Sequence, residues 1–136
     1  LLESFAQDKQ IYLEYKCLTT VSVIGDEGQL TRLFSNLLEN ALQYTPPKGK
    51  VVVTVAKQNR CALVMIEDTG IGIAPEHQPF VFDRFWRADK ARSRRERGTG
   101  LGLAIAQAIT HSHGGKITLT SQVGVGSCFQ IRLPLV

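Results

Sequence analysis

Asn36 and Asn40 lie four residues apart in the run Asn36-Leu37-Leu38-Glu39-Asn40-Ala41-Leu42-Gln43-Tyr44. At helical spacing the two amides share one face, Tyr44 continues their row, and the Leu and Ala residues point the other way. Asn is a mediocre helix former, so two in register in mid-helix are a cost unless their amides have partners. An amide oxygen is a hard ligand suited to Mg²⁺, which keeps several waters and also takes phosphate oxygens. The plain alternative is a solvated helix face.

Three further constellations suit the same chemistry. Asp68 ends an apolar stretch and opens Asp68-Thr69-Gly70-Ile71-Gly72-Ile73. A carboxylate at the rim of a core accepts a hydrogen bond from an exocyclic amino group. Adenine offers one there, whereas guanine offers an O6 acceptor that a carboxylate repels. The run Gly98-Thr99-Gly100-Leu101-Gly102-Leu103 opens a predicted helix. Its free N–H groups and the helix dipole make an anion site. It lacks the Lys-Ser/Thr ending of a P-loop and does not directly follow a strand, as a dinucleotide fingerprint does. Between the two glycine clusters, Phe82, Phe85 and Trp86 are suited to anchoring a loop, with Arg84 and Arg87 facing outward.

Charge is concentrated in that interval. Residues 83–98 hold seven basic and three acidic side chains, the whole of the net charge of +4. A basic loop beside glycine clusters suggests a compact polyanion such as a triphosphate. A nucleic-acid binder more often spreads its charge over a face or a helix.

The elements that must position these groups follow from periodicity. Residues 1–8 fit the end of a helix running in from an N-terminal part outside this chain. Ile11–Tyr15 alternates as a strand, and Val21–Ile24 reads as a second short one. Asp26 is an N-cap for a helix to about Tyr44, whose stripe is Leu30, Leu33, Phe34, Leu37, Leu38, Ala41 and Leu42. Pro46-Pro47 stops it. Val51–Val55 and Cys61–Ile66 form a central hairpin. A short helix is predicted within Pro75–Phe80. Leu101, Ala104, Ile105, Ala108 and Ile109 define a second long helix ending at Gly114-Gly115. Lys116–Ser121 and Ser127–Leu133 are the last strands. The pattern predicts an α+β fold, a two-layer α/β sandwich with a mixed sheet of about five strands on three helices.

At 136 residues and 43% apolar, the chain has the size and composition of one globular domain. It begins at Leu1 without Met, so it reads as a piece of something longer. No apolar run has the length of a membrane span. Cys17, Cys61 and Cys128 lack CxxC or CxxH neighbours, which argues against zinc and for reduced, mostly buried thiols in a cytosolic setting.

Together, in this order and spacing, the motifs resemble the catalytic and ATP-binding domain of bacterial-type sensor histidine kinases, within the GHKL (Bergerat-fold) ATPases. Asn36–Tyr44 is similar to the N box, Asp68–Ile73 to the first glycine box, Phe82–Arg87 to the F box and Gly98–Leu103 to the second glycine box. Gly124–Phe129 and Leu133-Pro134 are also family-like, so the resemblance spans essentially the whole chain.

The resemblance implies a Bergerat ATP-binding fold over residues 1–136 as a single catalytic domain. Residues 1–10 would be the connection from a dimerisation and phosphoacceptor domain, and residues 83–100 the ATP lid. It implies ATP and Mg²⁺ as cofactors, with Asn40 holding the metal and Asn36 meeting phosphate or metal-bound water. Tyr44 would stack near adenine and Asp68 bind its amino group, with Gly70, Gly72 and Ile73 shaping the pocket. Phe85 and Arg87 of the F box, and Gly98, Thr99, Gly100, Leu101, Gly102 and Leu103, would complete the ATP-binding set. Gln43 departs from the family's commoner Lys or Arg and brings no charge. Asn36 stands where hydrolysing relatives carry a Glu base. That favours phosphoryl transfer to a separate acceptor, catalysed by Asn36 and Asn40, with the role of Glu39 open.

The implied acceptor is a His on the helical dimerisation domain, because His77, His111 and His113 lack the His-Glu/Asp context. The implied partners are that domain and a response regulator receiver, with no nucleic acid and no direct membrane contact by this domain. The implied location is the cytoplasm, the parent protein being free to carry a membrane anchor. Alternatives are an anti-sigma serine kinase of the same family, a degenerate nucleotide sensor, and a nucleic-acid module.

Overall fold

The computed structural model describes residues 2–84 and 101–136. In chain order it contains α1 (Leu2–Asp8), β1 (Tyr12–Cys17), α2 (Glu27–Tyr44), β2 (Lys50–Gln58), β3 (Cys61–Asp68), a 3₁₀ turn (Gln78–Phe80), α3 (Gly102–Ser112), β4 (Lys116–Gln122) and β5 (Gly126–Pro134). The sheet runs β1-β2-β3-β5-β4. It is mixed: β1 lies parallel to β2 and every other pair is antiparallel. The predicted α+β two-layer sandwich is therefore the observed architecture.

Burial explains the layering. Val51 of β2, Val64 and Ile66 of β3, Phe129 and Ile131 of β5 and Ile117 of β4 face one apolar cluster with Leu33, Leu37, Leu38, Ala41 and Leu42 of α2 and Ala106 and Ile109 of α3. The inward side chains alternate along the strands because a strand has a period of two, and along α2 they recur at helical spacing. The helices α2 and α3 pack against each other as well as on the sheet.

Local chemistry sets the element ends. The Asp26 carboxylate accepts the Gln29 N–H at 2.9 Å, an N-cap at the predicted start of α2. Thr45, extended at φ −98° and ψ 123°, ends it; the proline that follows disfavours the helical region for the residue before it. The β2–β3 hairpin turns on Asn59 (φ 56°) and Arg60, and Asn tolerates this left-handed region.

Two expectations are corrected. Val21–Ile24 forms no strand. Val23 tucks against the core while Ile24 is 82% exposed, and the Ser22 carbonyl takes one N–H, from Val136; one bond does not make a ladder. The cysteines are free thiols, but Cys17 is exposed at the end of edge strand β1, and Cys61 and Cys128 are half-buried. Among the described residues, no helix is long and apolar enough to cross a membrane.

Candidate nucleotide site

The site is built where α2, the segment after β3, and the start of α3 converge. Asp68 is the last residue of β3, in register with Ser127 of β5. Its Oδ1 accepts the Gly70 N–H at 2.8 Å and the Ser127 N–H at 3.2 Å. Oδ2 takes no donor among the described residues, so the fold fixes one carboxylate oxygen and not the other. Burial raises the Asp68 carboxyl above its usual 3.8, and the two backbone donors pull it partly back.

The glycines of this segment are required by close approach. A Cβ on Gly70 would sit 2.5 Å from the Tyr44 carbonyl oxygen. Gly72 has φ +77°, and a Cβ there would meet the Gln122 carbonyl oxygen at 2.3 Å. Ile73 is held on both sides of its peptide: its N–H donates to Ser121 Oγ at 2.8 Å, and its carbonyl accepts from Gln78 Nε2 at 2.9 Å.

The α2 face meets this segment directly. The Ile71 N–H donates to the Tyr44 carbonyl at 3.3 Å, joining the end of α2 to the glycine segment. Tyr44 is 37% exposed. At the other side, Asn36 Nδ2 donates to the Gly102 carbonyl at 3.3 Å, which sets Asn36 beside the first turn of α3. Leu101 precedes that helix, Leu103 packs partly into the core, and a Cβ on Gly102 would meet no described atom within 4 Å. Asn40 and Gln43 are half-buried on α2.

Glu39 falls one position off the Asn row. It lines a cleft of about 750 Å³ with Ser35, Leu2, Phe5 and Lys9, between α1 and α2. Phe82 of the F box is anchored on the core, edge-on to Phe129 with centroids 6.0 Å apart, and Arg84 is exposed. Phe85, Trp86, Arg87, Gly98, Thr99 and Gly100, with most of the expected lid, lie outside the described residues.

Among the described residues, no group of three or more His, Cys, Asp or Glu is placed to hold a metal. Among the described residues, the amide of Asn36 lies beside the α3 N-terminus, with Asn40 one turn further along α2. Such a set fits an ion that takes few protein ligands and completes its shell with phosphate and water, as Mg²⁺ does, and does not fit a zinc or calcium cage.

Several members of the site escape sequence reasoning. Ser127, Ser121 and Gln78 brace the Asp68–Ile73 segment, and Ser121 Oγ also lies 2.7 Å from Ser127 Oγ. Ser121 and Ser127 are distant in sequence and reach the site through the β3–β5 and β4–β5 registers, whereas Gln78 reaches it from the 3₁₀ turn five residues after Ile73. The glycine turn at Gly124 is the nearest signal, its N–H donating to the Ile71 carbonyl at 3.0 Å.

Comparison with known proteins gives one family. The family described as "Histidine kinase-, DNA gyrase B-, and HSP90-like ATPase" matches residues 25–136. The Sensor histidine kinase RppB of Synechocystis sp. is 51% identical over 111 residues, 82% of this chain and 24% of that protein. The Sensor protein SrrB of Staphylococcus aureus is 43% identical over 109 residues, 80% of this chain and 19% of that protein. The chain thus spans about a quarter or less of these relatives. Among solved structures, the mycobacterial sensor histidine kinase MprB superposes with TM-score 0.84 at 33% identity, covering 98% of this chain and 89% of that one. Full-length ShkA in complex with AMPPNP superposes with TM-score 0.87 at 26% identity, covering 99% of this chain and 28% of that one.

Proposed function

The chain belongs to the histidine kinase-, DNA gyrase B- and HSP90-like ATPase family, and from that membership we propose that it is the catalytic domain of a sensor histidine kinase. It binds Mg-ATP and presents the γ-phosphate to a histidine on a separate helical dimerisation domain, from which a response regulator receiver is served.

The observation that carries this reading is the joining of the three motifs by hydrogen bonds. Tyr44 of the α2 row holds Ile71 of the glycine segment, and Asn36 of the same row holds Gly102 at the α3 N-terminus. A carboxylate, an amide face and a helix N-terminus are thereby linked along α2, a grouping that supports an adenine-nucleotide reading. The residues assigned to the nucleotide are Asp68, Gly70, Gly72, Ile73 and Tyr44 at the base, and Asn36, Asn40, Gln43, Gly102 and the neighbouring glycine run at the phosphates.

Asp68 Oδ2 accepts the adenine amino hydrogen. The N–H groups of the first turn of α3 face the phosphates, favoured by the helix dipole. Asn40 holds Mg²⁺ through its amide oxygen, and the ion, when bound, neutralises charge on the transferring phosphoryl group. Asn36 has no basic atom with which to activate water, so the residues supply positioning and charge stabilisation for transfer rather than hydrolysis. Within this reading the protein works in the cytoplasm, and residues 83–100 are assigned as the ATP lid.

The test is twofold. Calorimetry on residues 1–136 should show Mg-dependent binding of ADP. Labelled ATP should leave no phosphate on this chain alone but should label a histidine in the longer protein that contains it. Absence of Mg-dependent adenine-nucleotide binding would sink the proposal; label on serine would replace it with a serine kinase of the same family.

A further inference from the structure

The last four carbonyls of an α-helix have no partner within the helix. In α2 each finds one outside it, from three different parts of the chain. Thr45 Oγ1 donates to the Ala41 carbonyl at 2.7 Å, and the Ile71 N–H donates to that of Tyr44. The two between are taken by one side chain: Lys9 Nζ donates to the Leu42 carbonyl at 2.9 Å and to the Gln43 carbonyl at 2.5 Å. Lys9 comes from the far end of the chain, 33 and 34 residues away.

The backbone around Lys9 aims it there. The helix α1 ends in a Schellman motif, with Gln10 N–H on the Gln7 carbonyl at 3.1 Å and Ile11 N–H on the Ala6 carbonyl at 2.8 Å. The left-handed position of that motif is Gln10, at φ 62°. The same motif closes α3 with a glycine, Gly114 at φ 74°, bonded to the His111 carbonyl at 3.0 Å. A non-glycine residue in this region is held there by its surroundings. Here the Gln10 carbonyl accepts the Lys48 N–H at 2.7 Å, from the turn just after α2. The junction of α1 and β1 is thus stitched to the end of α2 at three points.

We propose that Lys9 is a positioning residue for nucleotide binding: its ammonium fixes the last turn of α2 and so couples the placement of α1 to the Asn40, Gln43 and Tyr44 end of the site. The ammonium also sits at the negative end of the α2 dipole, where a cation is favoured. Removing it leaves two carbonyls of that turn to reorient, and the same turn holds Ile71 and abuts Gly70. A displacement of α1 is then felt as a change in affinity, without any contact between α1 and the nucleotide. This inference rests on the nucleotide reading of the site.

The experiment compares residues 1–136 with Lys9→Met, Lys9→Arg and Phe5→Leu, the last loosening α1 without touching the α2 carbonyls. The probe is Mg-ADP, by calorimetry well below the melting temperature. Lys9→Met should weaken binding about tenfold, equivalent to about 1.4 kcal/mol, with Lys9→Arg and Phe5→Leu each within about threefold of wild type. Should Lys9→Met not fold, Lys9→Gln carries the same comparison. Wild-type affinity in the Met or Gln variant overturns the proposal, as does an equal loss in Phe5→Leu, which would reduce Lys9 to general support of α1. Failure of the wild-type chain itself to bind Mg-ADP overturns the nucleotide reading, and the Lys9 role falls with it.

Discussion

Asp68 spends one carboxylate oxygen on the fold, and the other takes no donor among the described residues. Its burial raises its pKa, so the folded chain holds this proton more tightly than the unfolded chain does. Between the unfolded value near 3.8 and the raised folded value, the stability contributed by protonated Asp68 is lost as pH rises. Where Asp68 is ionised in the free protein, it is a partly buried charge that costs stability. Asp68→Asn removes that cost and can keep the Oδ1 acceptor. Its melting temperature without ligand at pH 7 should be no lower than wild type, while Mg-ADP affinity should fall about thirtyfold, the loss of a hydrogen bond to a charged group. Wild-type affinity in this variant would remove Asp68 from the base-recognition role.

At the scale of elements, α2 serves both the core and the site, and its end decides how well. Thr45 is fully buried, and its hydroxyl bonds the Ala41 carbonyl. Thr110 does the same for the Ala106 carbonyl in α3, also fully buried. Replacing either by Val keeps the shape and removes a buried hydroxyl–carbonyl hydrogen bond, at a cost of about 1 kcal/mol. Chemical denaturation should show that loss in both variants with the slope unchanged. The two should differ in Mg-ADP binding: Thr45→Val perturbs the turn that holds Ile71, whereas Thr110→Val lies at the far end of α3 from Gly102. Equal affinities in the two would show that the end of α2 does not position the site.

At the scale of the whole molecule, ligand binding and folding are linked. If all the motifs close on one nucleotide, Mg-ADP at a hundredfold its Kd should stabilise the chain by about 2.7 kcal/mol. A differential scan should then show the melting temperature rising by roughly 8 °C. Mg-GDP at the same concentration should give no shift, because its O6 faces the Asp68 carboxylate. Matching shifts with both nucleotides would mean that the base is not read.

Much of the fold was legible because its signals are local. The Asp26 cap, the Pro46 stop, the α2 stripe and the central hairpin each depend on a few neighbouring residues, and each stands where the sequence placed it. Val21–Ile24 misled because four apolar-rich residues satisfy a strand pattern whether or not a neighbouring strand exists to pair with them. The candidate motifs were legible as glycines, asparagines and one carboxylate at fixed spacing. Their mutual arrangement was not, because it rests on bonds between residues far apart in the chain: Ser127 to Asp68, Ser121 to Ile73, Ile71 to Tyr44, Lys9 to Leu42 and Gln43. By itself the sequence determined which groups could meet a nucleotide. Only the tertiary structure decided that one oxygen of Asp68 is already spent, that Glu39 turns to the α1 cleft, and that a lysine before the first strand holds the end of α2. Strand register and helix-end satisfaction are properties of the closed chain, and no local pattern encodes them.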